Sequence, residues 1–134
     1  MAMLLLVIVL DGRIRKMLFY KIYSDEKDKL SYKKPVIVCI HSFASNMGIF
    51  AKQILPLKKN YDLLLIDLPS HGKTTQTLSD SEISFSAISY EIAHILDDLK
   101  IKKAHFIGCS VGVRFVKYFL TYFNDRVDKS IMIG

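Results

Sequence analysis

The most regular feature of the second part of the chain is a series of short apolar runs that do not alternate with polar residues. A continuous run of this kind is typical of a strand covered on both faces, as in a parallel sheet. We therefore predict four buried strands from Pro35 onward. They centre on Val36–Ile40, Leu63–Ile66, Phe106–Ile107 and Ile131–Ile133, the last within a strand from Asp128 to Ile133.

Amphipathic helical patterns lie between these strands. Met47 to Leu57 predicts a short helix with Pro56 near its end, and Gly112 to Phe123 predicts another. The middle helix follows Ser84, a residue type favoured as an N-cap. Alternating strands and helices predict an α/β fold, with a mostly parallel sheet and helices on both faces. The apolar stripe of the middle helix recurs at steps of three and four residues: Phe85, Ile88, Ile92, Ile95, Leu96 and Leu99.

The first part of the chain predicts an antiparallel hairpin. Leu4 to Leu10 is a strand-like run with β-branched residues, and Asp11-Gly12 is a strong turn signal because this turn needs positive φ. Ile14 to Tyr23 predicts the returning strand. The hairpin brings the expected sheet to about six strands.

Length and composition indicate one domain, residues 1–134, in which a hydrophobic fraction of 51% excludes disorder. The longest apolar run, Met1 to Leu10, is shorter than the roughly 20 residues of a membrane-spanning helix. It also lacks a basic leading segment and a small-residue cleavage site, so we expect no signal peptide. Because two cysteines, Cys39 and Cys109, cannot build a disulfide framework, we expect a cytoplasmic protein.

The net charge of +6 does not indicate a nucleic-acid-binding protein. The lysines stand where apolar runs stop, and aromatic residues are not interleaved with them as in proteins that bind single strands. This distribution is typical of solvated loops. We expect neither a nucleic-acid nor a membrane partner.

The residues most informative about chemistry are Gly108-Cys109-Ser110-Val111-Gly112. They match G-x-S-x-G between a predicted strand and a predicted helix, the context of a nucleophile elbow. Such a turn lifts Ser110 above the sheet, while the glycines allow strand and helix to approach. The N–H of Val111, at the helix N-terminus, would face a developing oxyanion. The alternative is a Gly/Ser turn without chemistry.

Two further stretches follow predicted strands. The strand Val36–Ile40 is followed by His41-Ser42-Phe43. The strand Leu63–Ile66 is followed by Asp67-Leu68-Pro69-Ser70-His71-Gly72-Lys73-Thr74. With the elbow after them, the chain resembles the α/β-hydrolase superfamily. It is most similar to the esterase, lactonase and C–C-bond hydrolase branch, which carries H-G-x, D-x-P-G-H-G-x-S and G-x-S-x-G. The resemblance covers only the N-terminal half of such a hydrolase, so we expect an incomplete domain.

The resemblance implies a serine hydrolase with Ser110 as nucleophile. It would cleave a small-molecule ester, lactone, thioester or activated C–C bond through an acyl-enzyme, without a cofactor. The oxyanion donors would be the backbone N–H groups of Phe43 and Val111. The elbow glycines would be Gly108 and Gly112, and the loop-structuring residues would be His41, Asp67, Pro69, His71 and Gly72.

Three positions depart from the family pattern. Ser42 and Ser70 replace glycines, which costs about 1–2 kcal/mol wherever the family backbone needs positive φ. Cys109 stands where relatives often carry histidine. A Cys109 nucleophile is an alternative to Ser110, favoured only by the adjacent helix end.

The base and the acid of a triad are expected to follow the nucleophile, the acid first. After Ser110 the chain offers Asp125 and Asp128 but no histidine, so we expect it to be inactive alone. We expect no metal site, because neither the histidines nor the cysteines have metal-ligand spacing. All four histidines precede Ser110: His41 and His71 in loops, His94 at a helix surface and His105 in the elbow strand.

Two other functional interpretations remain open. The strand Asp128–Ile133 would lie at an open apolar sheet edge, which an oligomer could cover. The chain could therefore be a non-catalytic binding or interaction module derived from a hydrolase. In a dimer, His41 or His71 of one copy could instead serve Ser110 of the other.

Overall fold

The structure is a computed structural model that describes residues 8–10, 13–15, 18–69, 71–74 and 85–134. Several predicted features lie outside these ranges. They are the first residues of the N-terminal strand (4–7), the Asp11-Gly12 turn, Ser70 and the helix cap at Ser84.

The centre of the fold is a five-stranded sheet in the order β3-β5-β4-β6-β7. β3 runs antiparallel to β5, and the other neighbouring pairs are parallel. Every residue of β4 and β5 is buried, as the unbroken apolar runs predicted. The mostly parallel α/β sheet is therefore confirmed. Its strands are β3 (Tyr20–Tyr23), β4 (Val36–Ile40), β5 (Asp62–Ile66), β6 (Ala104–Cys109) and β7 (Val127–Ile133).

The N-terminal hairpin forms a separate two-stranded sheet of β1 (Ile8–Leu10) and β2 (Arg13–Arg15). The prediction of one returning strand from Ile14 to Tyr23 is wrong, because this stretch divides between β2 and β3. The contacts of Phe19 give a reason: its N–H donates to Thr74 Oγ1 at 2.9 Å and its carbonyl accepts from the Asp67 N–H at 2.9 Å. Within the described residues, the main sheet accordingly has five strands, where about six were expected.

Helices cover both faces of the sheet, as predicted. α2 (Phe85–Asp98) and α3 (Val111–Phe123) pack on one face, where Phe106 of β6 stacks on Phe119 of α3. A 3₁₀ turn leads into the short α1 (Ala51–Leu57) on the other face, and Pro56 lies in its last turn. None of the helices within the described ranges is long and apolar enough to cross a bilayer.

β7 is an edge strand whose outer side has no partner strand among the described residues. Val127 is buried, but the remaining residues of the strand are exposed. Ile131 is 58% exposed and Ile133 51% exposed. The sheet thus has the open apolar edge that the sequence predicted.

Candidate active site

Ser110 occupies the turn between β6 and α3, with φ +53° and ψ −112°. A non-glycine residue rarely adopts such a conformation unless the surroundings impose it. Two hydrogen bonds hold the turn: the Ser110 N–H donates to the Ile133 carbonyl at 2.8 Å, and the Val113 N–H donates to the Ser110 carbonyl at 3.0 Å. Ser110 is exposed, at the edge formed by the carboxyl ends of the parallel strands. This edge is where α/β sheets bind their ligands.

The two glycines of the elbow lie where no side chain fits. A Cβ on Gly108 would lie 2.7 Å from the Gly112 carbonyl oxygen. One on Gly112 would overlap the Ile40 carbonyl oxygen and lie 2.8 Å from that of His41. The start of α3 therefore touches the end of β4 directly, which brings Ser110 next to the loop that contains His41.

The two predicted oxyanion donors are near this contact in sequence: Val111 precedes Gly112, and Phe43 follows His41 by two residues. Val111 is the first residue of α3, so its N–H has no acceptor within the helix. Phe43 lies on the loop after β4 and is 71% exposed. Among the hydrogen bonds of the described residues, neither amide hydrogen donates to another group. Both remain available for an anion.

His41 is completely buried, and both of its ring nitrogens contact the backbone. Nε2 accepts the Leu68 N–H at 2.9 Å, so the proton is on Nδ1, which donates to the Ser42 carbonyl at 2.7 Å. Burial lowers the pKa of His41, because it penalises the imidazolium. The hydrogen bond to Ser42 and the charge of Asp67 act in the opposite direction. The neutral ring thus joins the loop after β4 to the loop after β5.

This lowered pKa predicts acid-sensitive stability. Below the unfolded-state value of about 6.5, the unfolded chain binds a proton that the folded chain excludes. The free energy of unfolding should therefore fall as the pH drops below about 6.5, by at most ~1.4 kcal/mol per pH unit for this one group. Urea unfolding between neutral and mildly acidic pH measures this slope. His41→Gln should lose the contribution and His94→Gln should keep it; equal slopes in both variants would contradict the prediction.

His71, on the loop after β5, also contacts backbone groups through both of its ring nitrogens. Nε2 accepts the Ala44 N–H at 3.0 Å, and Nδ1 donates to the Pro69 carbonyl at 2.8 Å. The rings of His41 and His71 lie 5.2 Å apart, and the Phe43 ring meets His71 edge-on at 5.6 Å. Since backbone groups occupy the nitrogens of both rings, neither histidine is placed as a base, either for its own Ser110 or for that of a second copy.

Asp67 joins the same two loops through its carboxylate. Oδ1 accepts the Met47 N–H at 2.8 Å and Oδ2 accepts the Lys73 N–H at 2.9 Å. Gly72 has φ +53°, and a Cβ there would overlap this carboxylate, so glycine is required twice over. The contacts of Asp67, Gly72 and the two histidines support the predicted loop-structuring role.

Two residues at this site were missed from the sequence. The hydroxyl of Thr74 donates to the Asp67 carbonyl at 2.6 Å and accepts the Phe19 N–H. Its place as the final residue of the D-x-P-G-H-G-x-S stretch was the available signal. Ala44 has φ +55°, which no local pattern indicates. Ser42 does not have a positive φ, so the backbone strain expected at that position is absent. The positive φ of this loop is at Ala44, two residues later.

The cysteine alternative finds no support in the electrostatics. Burial raises the pKa of the Cys109 thiol. It also raises the pKa of Cys39 to about 12, with the neighbouring Cys109 adding to the shift. Both side chains are therefore protonated thiols near neutral pH, the form that is not nucleophilic.

Neither Asp125 nor Asp128, the two acids after Ser110, is paired with a histidine close to Ser110. His105 is the second residue of β6, and Ser110 follows five residues later, about 16 Å along an extended strand. The Nδ1 of His105 is 3.9 Å from Asp128 Oδ2, and its ring meets Tyr61 edge-on. Asp125 is exposed beyond the end of α3. The one acid–histidine pair of the described residues thus lies at the opposite end of β6.

The strained conformation of Ser110 gives a direct prediction about stability. Ser110→Gly should unfold with a free energy about 1 kcal/mol higher than Ser110→Ala, because glycine tolerates the left-handed backbone. Urea unfolding of the two variants measures the difference. Ser130 in β7 is the matched control, since glycine there should be less stable than alanine by about 0.5–1 kcal/mol. The same sign at both positions would contradict strain at Ser110.

Comparison with known proteins adds independent findings. Residues 35–134 match the family model described as alpha/beta hydrolase fold. Esterase YbfF of Escherichia coli (strain K12) is 29% identical over 100 residues, which cover 72% of this chain and 37% of the relative. The 3-oxoadipate enol-lactonase 1 of Acinetobacter baylyi is 31% identical over 78 residues, 58% of this chain and 28% of the relative.

Solved structures show the same fold. Est816, described as an N-acyl homoserine lactone degrading enzyme, has a TM-score of 0.75 at 23% identity, covering 94% of this chain and 44% of that one. Epoxide hydrolase VrEH1 from Vigna radiata has a TM-score of 0.77 at 16% identity, covering 96% and 38%. The chain thus spans less than half the length of each of these proteins. By its sequence match and its architecture, the chain belongs to the α/β-hydrolase fold family.

Proposed function

We propose that the chain carries the nucleophile of a serine hydrolase that cleaves an ester, lactone, thioester or activated C–C bond. The observation that carries the proposal is the conformation of Ser110, exposed and left-handed at the start of α3. Strain of this kind persists only where the surroundings impose it, and it is concentrated at functional sites. A strand-to-helix turn without chemistry has no need of it. The relatives named as an esterase and an enol-lactonase agree with this reaction class.

In the proposed reaction Ser110 Oγ attacks the carbonyl carbon of a small ester-like substrate. The carbonyl oxygen becomes an oxyanion that accepts hydrogen bonds from the Phe43 and Val111 N–H groups, with support from the positive end of the α3 dipole. The leaving group departs to form an acyl-enzyme, which water then hydrolyses. No step requires a cofactor.

The proton of the Ser110 hydroxyl needs a base. Because the ring nitrogens of His41 and His71 are occupied by the backbone, we assign the base and its orienting acid to sequence beyond these 134 residues. The chain alone is then expected to turn over substrate poorly or not at all. A complete site would add a histidine within about 3 Å of Oγ.

A fluorophosphonate probe tests this assignment. The 134-residue chain and the product of any reading frame that continues past Gly134 are treated with the probe, and the adduct is located by peptide mass spectrometry. We expect an adduct on Ser110, faster in the longer product and absent from Ser110→Ala. A folded longer product that takes no probe at Ser110 would overturn the proposal.

A second candidate function is an interaction module that associates through β7. The exposed apolar residues of this edge strand favour it, since an unpaired strand is a template for pairing with another chain. Light scattering coupled to size exclusion should then find a dimer at micromolar concentration. Ile131→Lys should weaken it at least tenfold, while Ile49→Lys, an exposed residue of the 3₁₀ turn, should not. A monomer, or equal effects of both substitutions, would remove this candidate.

A further inference from the structure

The backbone around Phe43 is held by two imidazole rings on two successive peptide units. The first unit joins Ser42 to Phe43: its carbonyl accepts from His41 Nδ1, and its N–H is the proposed oxyanion donor. In a trans peptide the N–H points opposite to the carbonyl, so this hydrogen bond sets the direction of the Phe43 N–H. The second unit joins Phe43 to Ala44, and its N–H donates to His71 Nε2 at 3.0 Å.

We infer that His71, which lies on the loop after β5, is a positioning residue for the oxyanion donor Phe43. It acts by holding the next peptide unit in place. Without an acceptor at Nε2, Ala44 would have little reason to remain at φ +55°, a conformation that costs a non-glycine residue about 1 kcal/mol. Relaxation at Ala44 would rotate the Phe43–Ala44 unit, so that only the hydrogen bond between His41 and the Ser42 carbonyl would still restrain the Phe43 N–H.

The remaining contacts of His71 make it suited to this task. Its Nδ1 is bonded to the Pro69 carbonyl, which fixes both the tautomer and the plane of the ring. The His71 ring also packs against the Phe43 side chain. His71 therefore holds Phe43 both at its side chain and at the amide that follows it. The importance of His71 for catalysis rests on the proposed function. Its role in holding the backbone rests only on the contacts of the two peptide units.

Two substitutions separate the nitrogens of His71. Asparagine can place an amide N–H where Nδ1 donates to Pro69, but it offers no acceptor to Ala44. Glutamine reaches further and can place Oε1 near the position of Nε2. The pair therefore distinguishes the acceptor role from the general packing role of the ring.

The test measures two quantities in the 134-residue chain and in any longer product: hydrogen exchange of the Ala44 amide and the rate at which Ser110 takes the fluorophosphonate. His71→Asn should speed Ala44 exchange at least tenfold and slow Ser110 labelling about tenfold, a fraction of the roughly 10²–10³-fold lost when an oxyanion donor is removed. His71→Gln should restore both to within about threefold of the unsubstituted protein. His94→Asn, on α2, should change neither.

Equal losses in His71→Asn and His71→Gln, or no change in either, would overturn the inference. Urea unfolding of both variants shows whether a loss reflects general destabilisation, since such a loss would follow stability and not the acceptor. If Ser110 takes no probe even in the unsubstituted protein, the hydrolase proposal fails separately. Ala44 exchange then decides alone whether His71 holds this peptide unit.

Discussion

Gly112→Ala is expected to lower the free energy of unfolding by about 4 kcal/mol, at the severe end of single substitutions. The added Cβ would overlap the Ile40 carbonyl oxygen and lie 2.8 Å from that of His41. These are backbone atoms of the last residue of buried β4 and of the residue after it, so no side chain can rotate away to make room. Relief requires α3 to move away from β4. Urea or thermal unfolding monitored by circular dichroism measures the loss.

Gly134→Ala is the matched control, because no atom lies within 4 Å of the position where its Cβ would be. Its stability should stay within about 0.5 kcal/mol of the unsubstituted protein. If Gly112→Ala costs less than about 1 kcal/mol, the contact between α3 and the end of β4 is looser than described. The displacement would also carry Val111 away from Phe43, so Ser110 labelling should fall in any Gly112→Ala protein that remains folded.

Gly112, His41 and Asp67 together explain how separate elements form one site. The glycine lets α3 touch the end of β4, while the histidine and the aspartate join the loop after β4 to the loop after β5. Because the strands are parallel, all three connections lie at the same edge of the sheet. The turn at Ser110 and the loop after β4 are thus positioned by the backbone of the central strands.

The sequence predicted those parts of the molecule that leave a local pattern. Unbroken apolar runs located β4 and β5, and the glycine spacing around Ser110 located the elbow, because burial on both faces and close backbone approach each demand particular residue types. The break between β2 and β3 could not be predicted. It depends on Phe19, whose backbone bonds to Asp67 and Thr74, residues far along the chain. An apolar stretch gives no sign of a partner at that distance.

The finer geometry of the site was similarly hidden. The motif indicated His71 but not its partner, Ala44. Ala44 has a positive φ, which is uncommon for alanine and therefore not expected from the sequence. Only the three-dimensional position of the ring reveals that the backbone N–H of Ala44 is held from the neighbouring loop. Hydrogen bonds from side chain to backbone across loops are specified by geometry, and residue identity gives only half of each pair.

Asp67→Ala is expected to cost about 3 kcal/mol of unfolding free energy. Asp67 is 2% exposed, and the removal of its carboxylate strands the N–H groups of Met47 and Lys73. A donor left without its partner costs about 1–3 kcal/mol where water cannot replace the lost acceptor. Both N–H groups are only partly buried, so water compensates in part and the sum stays in the lower half of the roughly 2–6 kcal/mol that two such donors could cost. Chemical unfolding measures the loss.

Asp67→Asn and Asp125→Ala show which part of the Asp67 carboxylate is responsible. Asparagine keeps the volume and one acceptor but turns an N–H₂ group toward the other donor, so its cost should be intermediate, about 1–2 kcal/mol. Asp125→Ala removes an exposed carboxylate and should cost less than about 0.5 kcal/mol. If Asp67→Ala matches Asp125→Ala, the two loops are held by the histidines alone. The predicted order, alanine worse than asparagine at residue 67 and both worse than alanine at 125, requires the carboxylate to accept both N–H groups at once.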